Sequence, residues 1–338
     1  MKDTQFIIAL DGSEYRPMYE HMLGDLLNCD NVTFVADVKK DSFIKRLLLK
    51  RKARALVKNK LDFLAYEENN LYQAIKYYYG QEKDVCVIFL NASLYYNSYL
   101  PGTLLKYKKK WPSIKFVLFY LDVMGVAVSS CADTLRKNQV FDLVYSIDKN
   151  DVDKNDAIFR RTFNSKNERY TNISEDCDMY FCGVSKGRAP ILAGIVSAAE
   201  RNNTKIAMDI VCYEDPEVFR NHESVNIRKP GCFMSYPEVL HKELESSCIL
   251  EIVQEGQIAP TLRPYEAVVY NKKLLTNNIA ILDFPYMNSK YMRYFEKVED
   301  IDWEWVKEDT DVDYGYNGEF SPIHLLEDIC KRLNGENQ

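Results

Sequence analysis

Residues 178–203 read DMYFCGVSKGRAPILAGIVSAAERNN. The apolar run Asp178–Val184 has strand character, Ser185–Arg188 form a short loop around one glycine, and the stretch from Ala189 onward reads as a helix with proline near its start. Strand, loop and helix in that order are one unit of a parallel α/β sheet. Units of the same kind follow: TKIAMDIVCY, SYPEVLHKELESS, CILEIVQE, RPYEAVVYNK, KLLTNN and IAILDF. They also precede it. Residues 1–150 alternate the runs QFIIALDG, VTFVADV, DVCVIFLNA, KFVLFYLDV and FDLVYSID with helical stretches such as PMYEHMLGDLLN, EENNLYQAIKYYY, LPGTLLKYKKKW and CADTLRKNQ. Strands that are apolar on both faces and separated by helices predict a parallel sheet covered on both sides.

The polar stretch from Lys149 to Asp176 interrupts this alternation and reads as a connection. A chain of 338 residues has room for two domains. The expectation is an α/β protein of two Rossmann-like domains, residues 1–170 and 171–338, facing a cleft. The closing segment SPIHLLEDICKRL predicts a helix with Ser321 as N-cap and Pro322 at its first position, packing back on the N-terminal domain.

Composition narrows the class. Hydrophobic residues at 46% and charged residues at 28% describe a globular chain with real cores. The nine cysteines contain no CxxC and no Cys/His ligand spacing, which argues against a zinc site or a secreted disulfide framework and for a reducing cytoplasm. No run approaches the 18 or so apolar residues of a membrane span. Charge divides unevenly: 27 Lys/Arg face 21 Asp/Glu over residues 1–170, and 17 face 29 over the remainder. Ten basic residues and one acid lie between Lys39 and Lys60, interleaved with Phe43, Ile44, Leu47, Leu48, Leu49, Leu56 and Val57. This predicts a basic helix with an apolar side, either a solvated face over a sheet or a patch for an anionic membrane surface or phosphorylated acceptor. Nucleic acid is not expected as a partner, since the net charge is −6.

Two loops carry the candidate chemistry. In Phe181-Cys-Gly-Val-Ser-Lys-Gly-Arg-Ala-Pro190, backbone N–H groups and a helix N-terminus suit a phosphate, and Ser185, Lys186 and Arg188 add donors. The alternative is a plain strand-to-helix turn with surface cations. Neither GxGxxG nor GxxxxGK[ST] is present, which argues against a dinucleotide-dependent enzyme or P-loop kinase. In Gln254-Glu-Gly-Gln-Ile-Ala-Pro-Thr-Leu-Arg-Pro-Tyr-Glu-Ala267, a glycine and two prolines fix a loop that carries Gln257 and gathers Thr261, Arg263 and Glu266 at a helix start. An arginine there can pair with phosphate oxygens and a carboxylate with sugar hydroxyls; alternatively, Arg263 and Glu266 pair with each other at i,i+3.

The order FDLVYSIDKND, a polar stretch, DMYFCGVSKGR and CILEIVQEGQIAPTLRPYEAVVYNKKLLTNN resembles a group of bacterial glycosyltransferases with the double-Rossmann GT-B fold, found in lipopolysaccharide and capsule biosynthesis; the similarity is best over Phe141–Asn278. The resemblance implies a nucleotide-sugar donor on the C-terminal domain, with Gly183, Ser185, Lys186 and Arg188 near its diphosphate and Gln257, Thr261, Arg263 and Glu266 around nucleotide and sugar. It implies a glycan or lipid-linked acceptor on the N-terminal domain, no cofactor, and a leaving diphosphate stabilised by cations and helix N-termini instead of a metal. The E-x7-E pattern of many retaining members is broken, because Ile258 stands eight positions before Glu266. DxD triplets such as those at 151–153, 176–178 and 311–313 are expected by chance among 50 acids. A base for the acceptor should lie at the carboxyl end of an N-domain strand; Asp11 after FIIAL and Asp122 after FVLFYL qualify, and either could equally be a loop-capping carboxylate. A non-catalytic nucleotide- or sugar-binding protein on the same fold is the competing reading.

Overall fold

The computed structural model describes residues 4–10, 16–36, 70–91, 94, 101–122, 124–125, 130–171, 173–254 and 260–336. The chain divides into two compact units, Met1–Thr162 with Pro322–Gln338, and Phe163–Ser321.

The first unit holds a six-stranded parallel sheet in the order β2-β1-β3-β4-β5-β6. Its strands are β1 (Thr4–Leu10), β2 (Val32–Ala36), β3 (Asp84–Leu90), β4 (Lys115–Tyr120), β5 (Leu143–Ser146) and β6 (Ile158–Phe159). Phe6 to Leu10, Val85 to Leu90 and Phe116 to Tyr120 are all buried, the signature of strands covered on both faces. Around them lie α1 (Arg16–Met22), α2 (Asn70–Tyr79), α3 (Pro101–Lys110), α4 (Ser130–Lys137) and α5 (Lys149–Asn155). In α2 the buried Leu71, Tyr72 and Ile75 share one helical face, where Tyr72 packs against Tyr107 and Trp111.

Part of the polar stretch after Lys149 is not a connection. Asp148 accepts the Asn150 N–H at 2.8 Å as N-cap, α5 follows, and Asp156 ends it in the left-handed region. β6 then pairs with β5. A helix set by its caps has no apolar stripe to announce it.

The C-terminal helix α10 (Ile323–Leu333) belongs to this first unit. It buries Leu325, Leu326 and Ile329, and its Asp328 accepts the Tyr145 hydroxyl at 2.8 Å and lies 3.6 Å from Arg160. Its N-cap is Pro322 instead of Ser321, a shift of one residue.

The second unit has a parallel sheet of its own, in the order β12-β11-β10-β7-β8-β9. The strands are β7 (Cys177–Val184), β8 (Ile206–Val211), β9 (Val225–Arg228), β10 (Ser246–Glu251), β11 (Lys273–Thr276) and β12 (Met292–Tyr294); the helices are α6 (Ala189–Arg201), α7 (Tyr236–Leu244), α8 (Arg263–Val269) and α9 (Trp303–Lys307). The run IAILDF forms a 3-10 turn over Ile279–Asp283, not a strand, because Ile279 and Leu282 face water at 58% and 52% exposure. Tyrosines serve mainly as packing. Tyr265, Phe284, Tyr286, Tyr316 and Phe320 form an edge-to-face cluster under β11 and β12.

Lys273 is buried to 1% exposure, yet it opens a strand. Its ammonium donates to the carbonyls of Trp305 (2.9 Å), Val306 (2.8 Å) and Glu308 (2.6 Å), closing the C-terminal end of α9. Those carbonyls have no intrahelical partner, and the helix dipole favours a cation there. Lys273→Met keeps the stem and removes the charge, so it should destabilise the unit by roughly 2–3 kcal/mol through carbonyls left without donors. Urea unfolding checks this; an unchanged midpoint refutes it.

Candidate functional site

In the second sheet the chain runs from β7 outward to β8 and β9, then returns to the other side of β7 as β10 and continues outward to β11 and β12. The topological switch point therefore lies between β7 and β10. Connections leave these two neighbouring strands in opposite directions, and the crevice past their carboxyl ends is where open α/β sheets bind ligands. Both loops selected from the sequence emerge there.

The loop after β7 is a tight turn. Arg188 N–H donates to Ser185 C=O at 2.7 Å, with Lys186 at φ 36° and Gly187 at φ 83°, the positive angles of a type I′ turn. Glycine takes that angle freely. A lysine held there costs of order 1–3 kcal/mol, strain of a kind that collects at functional sites. The 13-residue helix α6 starts immediately afterwards, with Pro190 in its first turn.

Arg188 folds back over the sheet. Its Nε donates to Ser185 C=O at 3.2 Å, its two terminal nitrogens donate to the carbonyls of Val184 and Ile252, and its guanidinium lies 5.8 Å from the Phe181 ring centre. Burial, with a smaller contribution from the nearby Arg263 charge, lowers its pKa to about 10. Gly183 lets this packing come close. A Cβ there would come within 3.0 Å of the Phe181 ring and 3.5 Å of an Arg188 nitrogen. Lys186, by contrast, is exposed and its ammonium makes no hydrogen bond or ion pair within the described residues.

Ser185 is completely buried. Its Oγ accepts the Tyr213 N–H at 3.0 Å and donates its own proton to the carboxylate of Glu214, whose second oxygen accepts the Gly187 N–H. These two donors hold the Glu214 carboxyl below the ordinary glutamate range.

The loop after β10 is anchored by Glu251, the last residue of that strand and 1% exposed. Its carboxylate accepts from Thr261 Oγ1 and Thr276 Oγ1, both at 2.5 Å. Thr261 Oγ1 in turn accepts the Arg263 N–H at 3.2 Å. The Arg263 guanidinium donates to Cys182 C=O at 2.6 Å, so each loop's arginine reaches the other strand's end.

Arg263 does not pair with Glu266. It lies 3.1 Å from a carboxylate oxygen of Glu243, a residue of α7 that is 1% exposed. Burial opposes the charge on Arg263, but Glu243, Glu266 and Glu251 outweigh it and hold the guanidinium protonated. Glu266 is 2% exposed and accepts the Tyr236 hydroxyl at 2.7 Å. Neither Glu243 oxygen has a hydrogen-bond donor. Burial raises the Glu243 pKa well above its ordinary value against the pull of Arg263, and the facing Glu266 and Glu251 raise it further.

The structure thus brings Gly183, Ser185, Lys186, Arg188, Thr261, Arg263 and Glu266 together at one switch point. Gln257 and Asp11 lie outside the described residues, as does the basic stretch 39–60. In the first unit the switch point lies between β1 and β3, and Asp11 directly follows β1. Asp122 is exposed after β4, in a segment held by Asp133, which accepts the Gly125 N–H at 3.1 Å, and by Asp151, which accepts the Met124 N–H at 3.2 Å. Among the described residues, no group of three or more His, Cys, Asp or Glu side chains could hold a metal ion, and no helix is long and apolar enough to cross a membrane.

No protein-family model matches the sequence, and no curated protein matches it either. Solved structures do. Anabaena HepE in complex with UDP and glucose superposes with a TM-score of 0.53 at 9% identity, covering 98% of this chain and 99% of that one. A Listeria monocytogenes protein assigned as a UDP-N-acetylglucosamine 2-epimerase superposes with a TM-score of 0.52 at 9% identity, covering 100% and 98%. A Rickettsia africae glycosyltransferase reaches 0.49 at 11% identity, over 88% and 86%. With two six-stranded parallel sheets, the protein has a GT-B-like fold of two Rossmann-like domains.

Because the folded state raises the Glu243 pKa, it binds more protons than the unfolded chain above the ordinary carboxyl value of about 4.3, and stability falls as pH rises through that region. Glu243→Gln removes the effect. Its melting temperature relative to the wild type should rise between pH 5 and pH 8; a pH-independent difference in scanning calorimetry would refute proton retention by Glu243.

Proposed function

We propose that the protein is a glycosyltransferase that moves a sugar from a nucleotide-activated donor to a glycan or lipid-linked acceptor in bacterial cell-surface polysaccharide synthesis. The observation that carries the reading is that the turn Ser185–Arg188, at the switch point of the second sheet, already holds an anionic oxygen pair with a hydroxyl and a backbone N–H at a helix N-terminus. HepE, with the same fold, is a protein solved with UDP and glucose.

On this reading the donor diphosphate sits on Gly187 N–H and Ser185 Oγ, with Lys186 closing over it as a free ammonium. These groups stabilise the charge that develops on the leaving diphosphate. Arg188 and Arg263 contribute field and position the loops, since their hydrogen bonds are directed to strand carbonyls. Acceptor activation falls to a carboxylate of the N-terminal domain, Asp11 or Asp122. No cofactor is called for, because the nucleotide-sugar is a substrate. The basic stretch Lys39–Lys60 gives the acceptor half an affinity for anionic lipid, placing the enzyme in the cytoplasm at the inner membrane face.

Incubation with UDP-, GDP-, CMP- and TDP-sugars should show slow release of free nucleotide from one of them. Binding of that nucleotide without any turnover would favour the non-catalytic alternative. Lys186→Ala should weaken nucleoside diphosphate binding by roughly 1.5–3 kcal/mol, the value of a charge-assisted bond. Titration calorimetry checks this, and wild-type affinity in the variant refutes the diphosphate assignment.

For the membrane, each basic residue near an anionic surface contributes about 1 kcal/mol, and salt screens it. Sedimentation with anionic but not neutral liposomes, lost at high salt, is the expected outcome. Equal binding to neutral vesicles would point to a soluble acceptor.

A further inference from the structure

We propose that Glu214 is an internal occupant of the donor-phosphate position, a carboxylate that must leave the turn before a diphosphate can enter and that thereby sets donor affinity. The inference rests on the donor-site reading above and adds a regulatory contact to it.

Three observations support it. First, the two Glu214 oxygens take the Ser185 Oγ–H and Gly187 N–H donors of the turn, so carboxylate and phosphate cannot share them. Second, the hydroxyl is committed to an acceptor on that side. Ser185 is 0% exposed and its oxygen is already occupied by the Tyr213 N–H, which leaves the single proton directed at the carboxylate. Third, release costs no core packing. Tyr213 to Val218 are all exposed, and the segment continues into a 3-10 turn capped by Asp215 and Pro216, so the Glu214 side chain can rotate into water while its backbone stays in place. The carboxylate itself is exposed, so moving it into water carries no desolvation penalty.

A carboxylate carries one negative charge and two oxygens to a site that suits more of both. A diphosphate therefore outcompetes it at the same donors, while weaker anions are excluded. Inorganic phosphate and free carboxylates would be kept off the turn, which makes Glu214 a filter for ligands that bring a second phosphate and further contacts.

The experiment is titration calorimetry of UDP, GDP, CMP, TDP and inorganic pyrophosphate against wild type, Glu214→Ala, Glu214→Gln and Ser185→Ala/Glu214→Ala. Glu217→Ala, an exposed neighbour whose carboxylate is paired with Arg220, controls for general loss of negative charge. The expected result is about tenfold tighter binding in Glu214→Ala, on the scale of one charge-assisted hydrogen bond. Glu214→Gln should change in the same direction, Glu217→Ala should change less than about twofold on the screened surface, and the gain should disappear when Ser185 is also removed. Equal or weaker binding in Glu214→Ala overturns the proposal and makes the residue a loop staple. Tighter pyrophosphate binding without binding of any nucleotide upholds the occupant role and overturns the nucleotide-sugar reading. No binding of any of these anions to any variant overturns both.

Discussion

At the switch point of the second sheet, β7 and β10 lie side by side while the chain leaves them in opposite directions, so two strand ends meet with no covalent link across the gap. Two arginines bridge it. Arg188 reaches from the β7 loop to Ile252 C=O, and Arg263 reaches from the β10 loop to Cys182 C=O. Strand-end carbonyls of a parallel sheet need donors, and the helices that follow supply only N–H groups directed elsewhere. An arginine meets the need best, because its planar fork can satisfy several acceptors while remaining charged. The crossing fixes both loops against one sheet, and every other feature of the site is built on that registration.

The strand ends also explain why part of the site was legible in the sequence and part was not. DMYFCGVSKGRAP and TLRPYEA declare themselves locally: an apolar run stops, glycine or proline follows, and cations collect where a helix begins. What local reading missed are the partners that arrive from elsewhere. Glu214 comes from the connection after β8, Glu243 from α7 and Tyr236 from the start of that same helix. One signal was available. Glu251 is a lone charge in the run CILEIV, and a charge inside a doubly covered strand must find donors; it finds Thr261 and Thr276. The sheets were legible for the same reason the strands are buried on both faces, whereas α5 and β9 were not: one is fixed by its caps and the other is a half-exposed edge strand. Sequence spacing also offered Arg263 and Glu266 as an i,i+3 pair, but i,i+3 adjacency counts only when both side chains stay on the helix surface. Here both turn inward.

Two buried acids of the second unit show how the local supply of donors decides what a carboxylate does. Asp209 receives Tyr180 Oη at 2.9 Å, Asn226 Nδ2 at 2.6 Å, Arg228 Nε at 3.1 Å and Lys242 Nζ at 2.8 Å. Burial disfavours its charge, but these donors outweigh burial, so its pKa is lowered. Glu243 is buried more deeply and has only the Arg263 nitrogen 3.1 Å away, with no hydrogen-bond donor to either oxygen. With Glu266 facing it, burial wins and the acid is driven toward its protonated form.

The consequence falls on the charge of the crevice. An ionised Glu243 would add negative charge directly beside Arg263, beneath the loops. With Glu243 driven toward its protonated form, less negative charge lies against Arg263 beneath the loops. Arg188 has carbonyls for neighbours and Lys186 has solvent, which leaves Glu214 as the anion that touches the turn from above. A protonated Glu243 and the surface carboxylate of Glu214 therefore bear on the same charge balance at the two loops: the first withholds a negative charge from beneath Arg263, and the second supplies one to the donors of the turn, Ser185 Oγ and Gly187 N–H.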